Sequence, residues 1–217
     1  MPVNFTAAEI AQKYDSIAVR YDRVERVAEF LLLQRLRRSL FERATGDVLE
    51  VAVGTGRNLQ FYPPTCRLTA IDVSPGMVAI ARRRAAELQR TVDFQLMDAR
   101  SLHFPDNRFD TVTSSLSTCT FPDPIAVLRE MARVCRDDGR ILLLEHGRSS
   151  VGLFGRLQDR LADRHARAVG CHWNREPRRL VEQSGLRLLS DRTAFVGVVH
   201  VIEAAPRLVG DPALNEG

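Results

Sequence analysis

A chain of 217 residues is long enough for one α/β domain with a hydrophobic core and little more. Apolar residues make up 45% and charged residues 27%, the balance of an ordinary soluble globular protein, and the formal charge of +4 is only mildly basic. Those values argue against a disordered or membrane-spanning chain: the longest apolar runs, FLLL at 30–33 and ILLL at 141–144, fall far short of the ~18 residues that cross a bilayer.

The first residues, MPVNFTAAEIAQKYD, lack a basic-then-apolar export pattern, so a cytoplasmic protein is expected. Cys66, Cys119, Cys135 and Cys171 stand without CxxC spacing, so neither a disulfide framework nor a metal site is expected. Of 31 basic residues a single one, Lys13, is lysine. The arginines are spread along the chain rather than gathered into a block, so no nucleic-acid partner is expected.

In chain order, residues 7–22 and 25–43 pattern as helices, the second with Val27, Phe30, Leu31, Leu33, Leu36, Leu40 and Phe41 on one broad apolar face. These make an N-terminal lid region, 1–45, ahead of a core, 46–204. VLEVAV (48–53) is a buried strand and RLTAID (67–72) a second, with only a short helix between them, halted by Pro63-Pro64. Residues 74–88 form a helix with Ser74 as N-cap and Pro75 at its first position. VDFQLM (92–97) and FDTVTSS (109–115) are strands, 123–135 is a helix, and RILLLE (140–145) is a strand after an Asp138-Gly139 turn. Helices at 150–169 and 176–184 follow, then two strands in LRLLSDR and VGVVHVIEA. The tail, 205–217, lacks periodicity and is expected to be mobile. Apolar strands alternating with helices predict a doubly wound, Rossmann-like α/β fold. Its seven-stranded sheet is mostly parallel, with a terminal antiparallel strand.

In such a sheet, ligands bind beyond the carboxyl ends of the strands. Gly54-Thr55-Gly56 follows the first strand, and two glycines let a ligand approach the backbone. Asp72 ends the second strand, placed to reach a ribose diol. Met97-Asp98-Ala99 follows the third and Ser114-Ser115-Leu116 the fourth. A dinucleotide wants G-x-G-x-x-G, but the third glycine position is Leu59. A carboxylate at Glu50, four residues before Gly54, suits a phosphate-free cofactor with an ammonium-bearing end, which describes S-adenosylmethionine (SAM).

Over about residues 10–204 the chain resembles the class I SAM-dependent methyltransferases. Their acid-x-G-x-G-x-G signature stands here as Glu50-Val51-Ala52-Val53-Gly54-Thr55-Gly56, with alanine at the first glycine. The resemblance implies that Asp72 holds the ribose hydroxyls, with Val73 and Met77 beside the adenine. It further implies that Asp98 and Ala99 bind the adenine edge and that Ser115 and Leu116 line the cofactor's far side. Tyr14-Asp15 and Tyr21-Asp22 resemble the lid of ubiquinone-type and small-molecule members, in which tyrosines close over the cofactor. Seven-residue spacing equally puts both tyrosines on one apolar helix face.

The acceptor is less constrained. The loop after the fourth strand, SSLSTCTFPDP, lacks the Asn/Asp-Pro-Pro-aromatic pattern of DNA amine methylation, and Cys119 lacks the preceding proline of a cytosine nucleophile. No paired acids after the fifth strand suggest Mg²⁺. The stretch from Glu145-His146-Gly147 through Gly170-Cys171-His172-Trp173-Asn174-Arg175 resembles three kinds of methyltransferase. These are bacterial phosphatidylethanolamine N-methyltransferases, animal membrane-associated alkyl-thiol methyltransferases and quinone-ring C-methyltransferases. The amine of phosphatidylethanolamine is therefore the leading acceptor, with a thiol or a quinone precursor as alternatives. A nicotinamide-dependent oxidoreductase and a non-catalytic RNA-binding module are the rivals from other classes. His146 is the candidate base or acceptor-positioning group, against a structural role bonding the 170–175 turn. Cys119, Phe121, His172 and Trp173 are candidates for an acceptor pocket. Within 153–168, Leu153, Phe154, Leu157 and Leu161 lie on one helical stripe and arginines on another. Such a helix rests on an anionic membrane or caps the pocket.

Overall fold

The computed structural model describes residues 5–28 and 33–206, with side chains except those of 17 and 19–28. Six helices and seven strands alternate along these residues: α1 (Ala7–Ala28), α2 (Gln34–Phe41), β1 (Asp47–Val51), β2 (Arg67–Asp72), α3 (Pro75–Glu87), β3 (Val92–Leu96), β4 (Phe109–Ser115), α4 (Pro124–Val134), β5 (Cys135–His146), α5 (Gly152–Val169), α6 (Pro177–Ser184), β6 (Arg187–Ala194) and β7 (Val199–Ala205). The strands form one sheet in the order β3-β2-β1-β4-β5-β7-β6. β1 pairs in parallel with β2 and β4, and β4 in parallel with β5, whereas β7 runs antiparallel to both β5 and β6. The expected Rossmann-like sheet is therefore present, with its antiparallel strand inserted between β5 and β6.

All five residues of β1 are buried. One apolar cluster on the sheet gathers Leu40 and Phe41 of α2 with Val78, Ala81 and Ala85 of α3. Another gathers Val127, Leu128 and Met131 of α4 with Val181 of α6. Burial on both faces is why the inner strands carry continuous apolar runs. The strand order reverses between β1 and β4, and the crevice at their carboxyl ends is where such sheets bind ligands.

Helix starts follow the expected chemistry. Ser74 Oγ accepts from the Met77 amide at 3.1 Å with Pro75 at the first turn of α3. Asp123 accepts from the Ala126 amide at 2.9 Å ahead of α4.

Three boundaries differ from the sequence expectation. α1 runs unbroken from Ala7 to Ala28, through the expected junction at 22–25, and α2 is confined to Gln34–Phe41. Phe30 and Leu31 lie outside the described residues, as does nearly all of the tail that was expected to be mobile. No helix forms between β1 and β2, where residues 54–61 are turns. β5 starts at Cys135, not 140, because the Asp138-Gly139 turn folds into the strand as a bulge. Cys135 pairs with Phe109 and Arg140 with Thr111, so four residues oppose Asp110 alone. A side chain on Gly139 would strike Cys135 Sγ at 2.7 Å, so the bulge closes only around glycine. No described helix is long and apolar enough to cross a membrane.

Candidate active site

One cavity opens at the carboxyl ends of β1, β2 and β4. Its wall brings together Ala52 and Gly54 after β1, Asp72 and Val73 after β2, and Met77 at the start of α3. It also takes Asp98 and Ala99 after β3, Ser115 and Leu116 after β4, and Phe121 beyond them. Tyr14 reaches it from α1, beside Ala7 and Ile10. Residues from Ala7 to Val127 thus share one space, as a nucleoside cofactor at the switch point requires.

The turn after β1 is shaped for close approach. Ala52, Gly54 and Gly56 all hold left-handed φ angles, of 56°, 55° and 77°. For the alanine that conformation costs about 1–2 kcal/mol. A Cβ built on Gly54 meets nothing within 4 Å, so this backbone faces open cavity. Gly56 is different: a Cβ there would meet Leu59 at 2.9 Å and Ala81 of α3 at 3.2 Å. Gly56 lets the turn pack on α3 and does not line the cavity.

Asp72 is anchored by backbone, accepting from the Gly54 amide at 2.8 Å and from the Ser74 amide at 2.9 Å. Burial pushes its carboxyl up from the ordinary range, while those amides pull it down. Each oxygen keeps a further lone pair, so a diol could still be received. Asp98 also lines the cavity, but its carboxylate is gripped by Arg100, whose Nη2 donates at 2.7 Å and whose amide donates at 2.9 Å. The Arg100 guanidinium holds it below the usual carboxylate range.

Glu50 does not reach the cavity wall. It is 2% exposed and sits beneath it, accepting from Asn58 Nδ2 at 2.7 Å. Asn58 does line the cavity; its amide also donates to Ser115 Oγ at 2.9 Å, and its oxygen accepts from Arg37 at 2.6 Å. Arg37 donates further to Ser115 Oγ at 2.8 Å. The expected direct meeting of Glu50 with a ligand ammonium is thus replaced by a chain of polar groups, Glu50–Asn58–Arg37/Ser115. Burial pushes the Glu50 carboxyl up to about 7, against the hydrogen bonds of Asn58 and Tyr62. Its Oε2 has no hydrogen-bond partner among the described residues.

Arg37 and Asn58 were missed from sequence. A signal for Arg37 existed: it stands four residues after Leu33 and three before Leu40, inside the apolar stripe of its helix, and is only 3% exposed. An arginine at a core position has to be held by polar partners.

The expected acceptor residues divide. Phe121 lines the cavity; Cys119, His146, His172 and Trp173 do not. Trp173 is a strut: its Nε1 donates to Gln158 O at 3.1 Å and its ring stacks on His165 at 4.3 Å, fixing α5. The His172 amide donates to Cys119 O at 2.9 Å. His146 Nε2 lies 3.4 Å from Cys171 Sγ, which is the alternative contact with the 170–175 turn. The carboxyl of the adjacent Glu145 is pushed up to about 7 by burial, although it accepts from Thr118 Oγ1 at 2.8 Å and from the amides of Ser117 and Thr118. The Tyr21 side chain lies outside the described residues.

The anion-binding alternative finds no support here. A dinucleotide's pyrophosphate needs a helix N-terminus after the glycine turn, and residues 54–61 supply turns instead.

Comparison with known proteins agrees. Residues 49–143 match the model of the family described as "Methyltransferase domain". The chain is 36% identical over 149 residues to a demethylmenaquinone methyltransferase of Thermus thermophilus, covering 65% of this chain and 68% of that protein. It is 40% identical over 129 residues to a phosphatidylethanolamine N-methyltransferase of Cereibacter sphaeroides, covering 58% and 63%. Against the mitochondrial methyltransferase OMS1 of Saccharomyces cerevisiae, identity is 28% over 218 residues, and the chain spans only 46% of that protein's length. Among solved structures, a SAM-dependent methyltransferase of Aquifex aeolicus superposes with a TM-score of 0.63 at 17% identity, over 89% of this chain and 98% of that one, which speaks to the fold. With the glycine turn, Asp72 and the shared cavity already in place at the switch point, these likenesses establish that the chain belongs to the class I methyltransferases that use SAM as methyl donor.

Proposed function

We propose that this protein transfers the methyl group of SAM to the amine of phosphatidylethanolamine, working at the surface of a bilayer. The observation that carries the lipid reading is the direction in which α5 turns its apolar stripe. The helix packs inward through Gly155, Gln158, Ala162 and Ala166, leaving Leu153 81% exposed, with Phe154 and Leu157 half exposed. No α5 residue lines the cavity, so the pocket-capping alternative loses its support. Beside the stripe lie exposed Val151 and the β6–β7 tip with Phe195 and Val196, and the Ser150 amide bonds Val196 O at 3.2 Å. Six of the ten large exposed apolar residues among those described thus gather in one area, with Arg156 and Arg160 on the same helix. A contiguous apolar patch with basic neighbours suits an anionic lipid surface. The relative from Cereibacter sphaeroides supports the choice of amine.

In this reading Asp72 receives the ribose hydroxyls, Val73 and Met77 flank the adenine, and Asp98 and Ala99 meet its edge. Arg37, held by Asn58 and Ser115, faces the carboxylate of the amino-acid end, and Tyr14 closes over it from α1. SAM, when bound, supplies an electrophilic methyl on its sulfonium. The protein's own task is to hold the amine in line with that methyl, a matter of proximity worth up to ~7–11 kcal/mol in favourable cases. With His146 Nε2 engaged by Cys171, the proton that the acceptor ammonium must lose passes to water at the open cavity mouth.

The test is mass spectrometry of products after incubating the protein with SAM and vesicles of phosphatidylethanolamine and phosphatidylglycerol, an alkyl thiol, or a demethylated quinol. Monomethylated lipid is expected. Inert lipid together with turnover of the quinol or thiol would replace the reading, and the Thermus thermophilus relative makes ring C-methylation the second choice.

A further inference from the structure

Outside the cofactor cavity, three side chains from three separate parts of the chain converge: Cys119 in the loop after β4, His146 at the end of β5, and Cys171 in the turn after α5. Their ligand atoms all lie within 4.8 Å of one another, and Cys171 Sγ is 3.4 Å from His146 Nε2. Both cysteines are buried. We propose that Cys119, His146 and Cys171 form a site for a soft or borderline divalent cation, Zn²⁺ in the first place. This inference is independent of which acceptor is methylated.

The donor set is chemically specific. Two sulfurs and one imidazole nitrogen select Zn²⁺ over the oxygen-seeking Mg²⁺ and Ca²⁺. With Zn–S near 2.3 Å and Zn–N near 2.0–2.1 Å, a tetrahedral ion holds its donors about 3.5–3.8 Å apart. The Cys171–His146 pair already stands near that separation, and since no pair of donors is more than 4.8 Å apart, closing the set asks about 1 Å of movement. Two thiolates and a neutral imidazole around a dication sum to zero charge, which a buried site tolerates. Binding releases the two thiol protons to solvent. Three protein ligands leave the fourth position to water or a small ligand.

The framework is built from backbone on each side. The His172 amide ties the 171–172 turn to Cys119 O at 2.9 Å. Arg175 donates to Phe121 O at 2.8 Å and to Thr118 O, clasping the loop that carries Cys119. The Arg148 amide donates to Arg175 O at 2.9 Å, and a side chain on Gly147, next to His146, would collide with that same carbonyl. Ligands fixed in this way lose little entropy on coordinating an ion.

The experiment titrates Co²⁺ into the chelator-stripped 217-residue chain. One equivalent should raise a thiolate-to-cobalt charge-transfer band in the near ultraviolet, and Zn²⁺ should bleach it. Cys119→Ser and Cys171→Ser should each abolish the band. Cys66→Ser should keep it, since that thiol is buried elsewhere against Ala44 O. A measurement needing no variant accompanies this: Zn²⁺ should shield two of the four thiols from a disulfide reagent, reversibly on chelation. No band, a band that survives both ligand substitutions, or an intact mass two hydrogens short from a Cys119–Cys171 disulfide would each overturn the site.

Discussion

Asp72 and Gly54 meet at a single 2.8 Å hydrogen bond, and that contact concentrates the cofactor predictions at residue scale. Asp72→Ala removes both the proposed diol acceptor and the anchor of the Gly54 amide. SAM affinity should fall at least tenfold, about 1.4 kcal/mol, by titration calorimetry. Gly54→Leu places its side chain in open cavity, at a backbone cost of about 1–2 kcal/mol for the left-handed φ of 55°, and should lose SAM by a similar factor while retaining the fold by circular dichroism. Unchanged affinity in both variants would mean that the cofactor lies elsewhere.

Glu50 supplies a pH signature at the same scale. Its carboxyl rises from 4.5 to about 7 on folding because burial disfavours the ionised form. A raised acid contributes stability that is full below pH 4.5 and is lost as pH rises through 7, up to ~3 kcal/mol. Glu50→Gln should therefore flatten the decline in urea stability between pH 5 and 8, though only in part, since Glu145 rises to about 7 as well. A decline as steep as that of the unaltered protein would show that Glu50 titrates normally.

At the scale of elements, α1 is tied over the cavity by Asp15, whose Oδ1 accepts from Ser74 Oγ at 2.5 Å and from the Gly76 amide at 2.8 Å at the start of α3. The sole lysine, Lys13, ties the same helix to the last turn of α5 through Arg167 O at 2.9 Å. Asp15→Ala should loosen Tyr14 and weaken SAM binding severalfold with little change in global stability. Equal loss of fold and affinity would assign Asp15 to stability alone. Ser74→Ala removes the N-cap of α3 and should cost about 1 kcal/mol by urea denaturation. Caps and turn residues made α3, α4 and the five parallel strands legible in the chain, because each signal is local. The bulge in β5 was not legible. Asp138-Gly139 codes for a turn, and only pairing with Phe109 and Thr111 decides that the turn lies inside a strand.

Over the whole molecule, the carboxyl edge of the sheet carries both functions: the cavity lies beyond β1, β2 and β4, and the outward apolar surface of α5 and the β6–β7 tip lies beyond the ends of β5 and β6. Leu153→Glu with Leu157→Glu should leave melting unchanged, since both side chains are exposed, yet abolish co-sedimentation with anionic vesicles. Retained sedimentation would remove this patch as the lipid-facing surface.

Alternating apolar strands and helices, the glycine turn and the strand-end acids determined by themselves a doubly wound sheet with a nucleoside site at its carboxyl rim, because these patterns depend on neighbours along the chain. Tertiary structure alone decided that Glu50 bonds Asn58 beneath the cavity, that Arg37 faces the cavity, and that Cys119, His146 and Cys171 converge. Those groups come from separate segments, and which of them touch is set by how the elements pack.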